Sequence, residues 1–183
     1  AGGTLYFPVS GSPYTVTKAS TRVHNYYYLD GAVHVLRKNN IHFVSDGATI
    51  RHSDYLMGFS SMEYEDTKNL ATGSTFTNPS RGFSFRGLTF DGLGSAHQAF
   101  LFRHCRDIVF KDCSFINYGV SPGEHHGPVN ATSMTDNIWL IDTNIETEGL
   151  AVYIDGVHNA GFVNCTFDVG DNEDGILMFT NND

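Results

Sequence analysis

A spacing pattern of apolar residues returns along the chain, and it narrows the fold more than any composition can. It reads Phe83-x-Phe85…Leu88-x-Phe90, then Ile108-x-Phe110…Cys113-x-Phe115. It comes back as Ile138-x-Leu140…Thr143-x-Ile145 and Ala160-x-Phe162…Cys165-x-Phe167, with a looser early copy at Ile41-x-Phe43…Ala48-x-Ile50. Alternation with a period of two marks strands, and no window carries a helical stripe longer than two turns. The copies start 42, 25, 30 and 22 residues apart, and the first gap leaves room for an extra turn or an excursion. A shorter strand precedes three copies by eight residues, at Val33-x-Val35, Phe100-x-Phe102 and Val152-x-Ile154. Asn40, Asp107, Asn137 and Asn159 stand immediately before four copies, where an Asx residue tolerates the turn between strands.

Short strands at this period, with no helices between them, predict an all-β, single-stranded parallel β-helix. Each coil then lies about 4.8 Å from the next. Equivalent positions stack, so Phe43, Phe85, Phe110, Leu140 and Phe162 form one inward column. Ile50, Phe90, Phe115, Ile145 and Phe167 form a second. An antiparallel sandwich also uses short alternating strands, but it does not require the same offsets in successive copies. Cys113 and Cys165 share a coil position with the Thr143 coil between them. Two spacings, roughly 9.6 Å, exceed what a disulfide spans, so both are expected to be unpaired. The strand pattern is still running at Asp183 with no capping segment, which predicts an incomplete portion of a longer solenoid.

At 183 residues the chain is expected to be one β-helix domain, with a lead-in over residues 1–30 and regular coils over 31–183. Eleven Lys+Arg against twenty Asp+Glu give a net charge of −9 without a basic block, which argues against a nucleic-acid partner. No apolar run approaches the roughly 20 residues of a membrane span, so no membrane partner is expected. The three cysteines lack Cys-x-x-Cys spacing, and no metal site is signalled by them.

The opening Gly2-Gly3-Thr4-Leu5-Tyr6-Phe7-Pro8, followed by Tyr14-Thr15-Val16, resembles the start of the pectate-lyase-like right-handed β-helix superfamily. Asn40-Ile41-His42-Phe43, Asp46-Gly47-Ala48-Thr49-Ile50 and the Asn-Cys-Thr-Phe element at 164–167 extend the likeness over nearly the whole chain. That superfamily includes glycoside hydrolases, polysaccharide lyases, epimerases, esterases and phage tailspikes. Gly170-Asp171-Asn172-Glu173-Asp174-Gly175-Ile176 resembles the Gly-Asp-Asp region of polygalacturonase-type hydrolases, and Thr147-Glu148-Gly149-Leu150 stands where those enzymes have Asn-Thr-Asp-Gly. The match departs in three ways. Two residues separate Asp171 from Asp174, Glu148 replaces an Asp, and no later Gly-His-Gly or Arg-x-Lys follows.

Stacking turns sequence offsets into proximity. The segments after Phe90, Phe115, Ile145 and Phe167 are expected to meet along one acidic, histidine-bearing edge, bringing together Asp91, His97, Tyr118, Glu124, His125, His126, Glu146, Glu148, Asp168, Asp171, Glu173 and Asp174. Glycoside hydrolysis needs two carboxyl groups, about 5–5.5 Å apart for retention and about 6.5–9.5 Å for inversion. The expected catalytic residues are Glu148, Asp171 and Asp174; acidic turn residues that are merely solvated are the simpler alternative. Tyr118, Glu124, His125, His126 and Asp155 are candidate substrate-binding residues, the two histidines in a Gly/Pro-flanked insert over 121–128. Calcium at the 171–174 cluster is conceivable because its ligands would be hard oxygens; no other cofactor is indicated.

Three functions follow. The first is hydrolysis of an extended glycan. The second is a lyase or epimerase acting on uronate chains, with calcium offsetting repulsion from an anionic cleft. The third is a non-catalytic tailspike or adhesin segment, with a trimer as its natural oligomer. A secreted or extracellular location, or a virion tail, is expected with these.

Overall fold

The computed structural model describes residues 2–17, 33–36, 38–53, 56–60, 78–96, 98–119, 127–132, 135–170 and 176–179. Among them are sixteen strands and no helix. In chain order they are β1 (Gly3–Phe7), β2 (Tyr14–Val16), β3 (Val33–Leu36), β4 (Ile41–His52), β5 (Met57–Ser60), β6 (Ser80–Asp91), β7 (Phe100–Arg103) and β8 (Cys105–Lys111). They continue as β9 (Ser114–Tyr118), β10 (Val129–Thr132), β11 (Asp136–Ile141), β12 (Asn144–Thr147), β13 (Val152–Asp155), β14 (His158–Val163), β15 (Thr166–Val169) and β16 (Ile176–Phe179). Every pairing is parallel, and each strand pairs with the equivalent strand of a neighbouring coil.

The chain is a parallel β-helix with three faces. The first is β1, the leading halves of β4 and β6, β8, β11 and β14. The second is β2, the trailing halves of β4 and β6, β9, β12 and β15. Because β4 and β6 run unbroken round the bend, these two faces form one curled ten-stranded sheet. The third is a six-stranded sheet ordered β16-β13-β10-β7-β5-β3.

Both inward columns form as the repeat predicts. Phe43, Phe85, Phe110, Leu140 and Phe162 are successive register partners, as are Ile50, Phe90, Phe115, Ile145 and Phe167. Phe43, Phe85 and Phe110 stack with ring centroids 4.9 and 4.5 Å apart and planes 10° from parallel. Parallel-strand spacing is itself about 4.8 Å, so backbone pairing and ring stacking reinforce each other. Each such buried side chain contributes about 1.5–3 kcal/mol against chain entropy.

The turns explain the Asx residues. Asn40, Asp107, Asn137 and Asn159 have φ of 55°, 58°, 58° and 57°, the left-handed conformation that Asn and Asp adopt most readily among residues with a side chain. A second ladder at the bend between the first two faces, Asp112, Asp142 and Asn164, has φ of 52°, 48° and 51°. Two of its members are cross-linked, Asn164 Nδ2 donating to Asp142 Oδ1 at 2.7 Å.

Among the described residues no coil comes between the two copies flanking the 42-residue gap. β4 pairs directly with β6, and part of the interval, 61–77, lies outside the described residues. Within residues 2–17 of the lead-in, β1 and β2 already lie in register on β4. Three third-face strands, β5, β10 and β16, have no clear signature. The 61–77 interval separates β5 from its repeat, and β10 carries the buried polar Asn130 between Val129 and Ala131. The three cysteines are free, with Thr143 between Cys113 and Cys165.

Candidate functional site

Where the second face ends, successive coils turn outward together and enclose a cleft of about 580 Å³. The segments after Phe90, Phe115, Ile145 and Phe167 all contribute to its lining. Neighbouring coils place Arg51 opposite Asp91, Asp91 opposite Ile116, and Glu146 opposite Asp168. The charged lining is therefore an axial row spread over successive coils, with four carboxylates (Asp91, Glu146, Glu148, Asp168) and one guanidinium, Arg51, paired with Asp91.

Backbone bonds between coils hold this edge. Glu148 N–H donates to the Tyr118 carbonyl at 2.8 Å, and Gly170 N–H to the Thr147 carbonyl at 3.0 Å. Gly149 N–H donates to Thr147 Oγ1 at 3.1 Å, which closes the turn that carries Glu148. Glu146, Glu148 and Asp168 are exposed into the cleft.

Asp91 differs from them in being buried. Its Oδ2 accepts from Arg51 Nε at 2.9 Å, and its Oδ1 from Asn117 Nδ2 and Leu93 N–H, both at 3.0 Å. Burial pushes the Asp91 carboxyl up, but the bonds from Asn117, Leu93 and Arg51, together with the Arg51 charge, outweigh it and hold it below the ordinary carboxylate range. Asp91 is thus a fixed anion that orients Arg51 at one end of the row.

Beneath the cleft lies Tyr118. Its hydroxyl sits 2.7 Å from His52 Nε2, and its ring is only 1 % exposed. Burial, aided by the Asp91 charge, pushes the Tyr118 hydroxyl well above its ordinary value. Its ring is floor: at that exposure it offers no face for stacking on a sugar.

The expected site residues therefore divide. Glu148 lines the cleft and Tyr118 supports it. Asp155 is half-buried on β13 of the third face, beside Tyr153, and does not line the cleft. Burial, with the Asp155 charge, raises the Tyr153 hydroxyl. Glu124, His125, His126, Asp171 and Asp174 lie outside the described residues. Among the described residues no group of three or more His, Cys, Asp or Glu side chains could hold a metal ion. Arg51 and His52 were missed by sequence reasoning, although Arg51 follows Ile50 as Asp91 follows Phe90, one coil apart.

No protein-family model matches the chain. No curated protein matches it significantly either. Among solved structures it is similar to the A-module of the Azotobacter vinelandii mannuronan C-5 epimerase AlgE4, with a TM-score of 0.64 and 17% identity. The likeness covers 98% of this chain and 45% of that one, so the chain spans less than half of that module. A weaker likeness, TM-score 0.46 and 14% identity over 90% of this chain and 81% of the other, is to a Parabacteroides merdae protein described provisionally as a glycosyl hydrolase. In fold, the chain is an all-β parallel β-helix.

Proposed function

We propose that the chain acts on an extended glycan and hydrolyses its glycosidic bonds with carboxyl groups carried on stacked turns. The observation that carries this reading is the axial row: Glu146 and Glu148 on one coil and Asp168 on the next, in one open cleft. Hydrolysis needs two carboxyl groups flanking the scissile bond, one to protonate the leaving oxygen and one to act as base or nucleophile. Adjacent coils supply backbone positions about 4.8 Å apart, from which side chains reach either separation the chemistry uses. Glu148 is one member of the pair. Asp171 follows Gly170, whose backbone lies against Glu148, and Asp174 comes three residues later; in this reading one of these two furnishes the other. Glu146 and Asp168 line the subsites, and Arg51 is the cleft's cation.

A second reading, epimerisation or lysis of a uronate polymer, draws support from the likeness to a mannuronan C-5 epimerase module. That chemistry abstracts a proton beside a carboxylate and requires positive charge to neutralise the substrate acid. Arg51 supplies some; a calcium ion would supply the rest.

Reducing-end release from a panel of neutral and acidic glycans tests both readings. Glu148→Gln and Asp174→Asn are each expected to lower turnover by about 10²-fold or more. Unchanged cleavage in both would remove these residues from the mechanism. Product unsaturation or uronate inversion that disappears on chelation would replace hydrolysis with the second reading.

A further inference from the structure

On the face away from the cleft stands Trp139, the chain's one tryptophan, 36% exposed at the middle of β11. Its register partners are Val109 on β8 and Gly161 on β14. The benzo edge of the indole lies directly over Gly161, where an added Cβ would collide with Cζ3, Cε3 and Cη2. Across the ring, Nε1–H donates to Asn137 Oδ1 at 2.7 Å, and Asn137 Nδ2 donates to Asp107 Oδ1 at 2.7 Å. One end of the indole is thus seated on bare backbone and the other is tied into the Asx ladder. Its rotamer freedom is already lost on folding, so a ligand need not order it.

We infer that Trp139 is a sugar-stacking platform: a glycan-binding subsite on the first face, separate from the cleft. It shares with the proposed function only the class of ligand and requires no turnover. A pyranose ring presents C–H groups of partial positive charge on one face, which suit the negative face of an indole. Its hydroxyls point outward in the ring plane, where they need donors and acceptors. Lys111 stands opposite Ile141, two residues along from Trp139, and is exposed with no ion pair among the described residues. Its ammonium supplies hydrogen bonds to those hydroxyls.

The apolar patch is too small for a second copy of the chain. Among the described residues, Trp139 and Val163 are the large exposed apolar side chains on this part of the face, and Lys111, Asp142 and Asn164 rim them. A specific protein interface needs about 800 Å² per partner, whereas one sugar ring needs only the indole face. Trp139 belongs to the same turn of the helix as Glu146 and Glu148, so the platform would hold a polymer beside the coil that acts on it.

Because there is one tryptophan, its fluorescence reports on this site alone. The full chain would be titrated with oligosaccharides of glucose, mannose, xylose and galacturonate, following emission maximum and acrylamide quenching. A saturable blue shift is expected with at least one of them, with quenching reduced about twofold as the exposed indole face is covered. Gly161→Ala, which keeps the fluorophore but lifts the ring, is expected to weaken that binding about tenfold. Trp139→Ala is expected to abolish retardation in affinity electrophoresis through the matching polysaccharide while the circular dichroism of the fold persists. Silence across the panel, or full affinity in Gly161→Ala, would overturn the platform, as would an emission shift driven by protein concentration alone. Glycan cleavage with silent fluorescence would sink the platform and leave the proposed function standing; saturable binding without cleavage would do the reverse.

Discussion

The hydroxyl of Tyr118 reaches His52 Nε2 at 2.7 Å although β6 runs between their strands. Gly92 makes the crossing feasible. A Cβ there would fall 3.0 and 3.1 Å from the Tyr118 ring and 2.9 Å from the Asn117 carbonyl, so the ring passes where a side chain would otherwise stand. Two coils whose strands do not pair are joined under the cleft by this hydrogen bond and the ring contact beside it. Gly92→Ala is therefore expected to destabilise the fold by about 1–3 kcal/mol, as overpacking does, measured by urea denaturation.

Removing the Tyr118 hydroxyl takes this bond away from a buried imidazole nitrogen. Tyr118→Phe should cost about 1–3 kcal/mol, while His52→Phe with Tyr118→Phe should cost less than the sum of the singles. The Tyr118 hydroxyl is raised in the folded state, so its contribution is complete below about pH 10 and is lost as pH rises further. Denaturation curves of the wild type and Tyr118→Phe at rising alkaline pH should show the difference between them shrinking.

Asp91 titrates in the opposite sense. Its carboxyl is held low when folded, so it stabilises above about pH 4 and that stability disappears as pH falls through the folded value. Asp91→Asn should lose about 1.5–3 kcal/mol at pH 7, because it removes charge-assisted bonds from Arg51 and Asn117. The deficit should close below about pH 4 in paired thermal melts. A gap that stays constant with pH would mean that Asp91 acts through shape alone.

The aromatic column sets stability along the axis. Phe110 is fully buried and stacks on Phe85 at 4.5 Å. Phe110→Ala should cost about 3–5 kcal/mol by denaturant titration. Phe162, at the same column position but half-buried, should cost visibly less on the same substitution.

At the Asx ladder, Asp142 has φ of 48° and accepts from Asn164 Nδ2. Asp142→Gly retains the conformation and should be tolerated better than Asp142→Ala, by about 1 kcal/mol. Thermal melts of the two variants decide this.

Much of the architecture was legible in the residues themselves. A solenoid repeats its local instructions once per coil, so the spacing Phe83-x-Phe85…Leu88-x-Phe90 and its copies specified both inward columns and the edge where Asp91, Glu146, Glu148 and Asp168 meet. The Asx residues announced left-handed turns for the same reason, since the conformation belongs to a single residue. What escaped the sequence depended on contacts made across coils. That Asp91 is buried and clamped by Arg51, 40 positions away, that Tyr118 lies inside against His52, and that Trp139 rests on Gly161 are outcomes of register between strands distant in the chain. Periodicity states which side of a strand a residue takes; only the packed stack settles which neighbour it meets there, because reach, tilt and a missing Cβ act over several ångströms that no single repeat encodes.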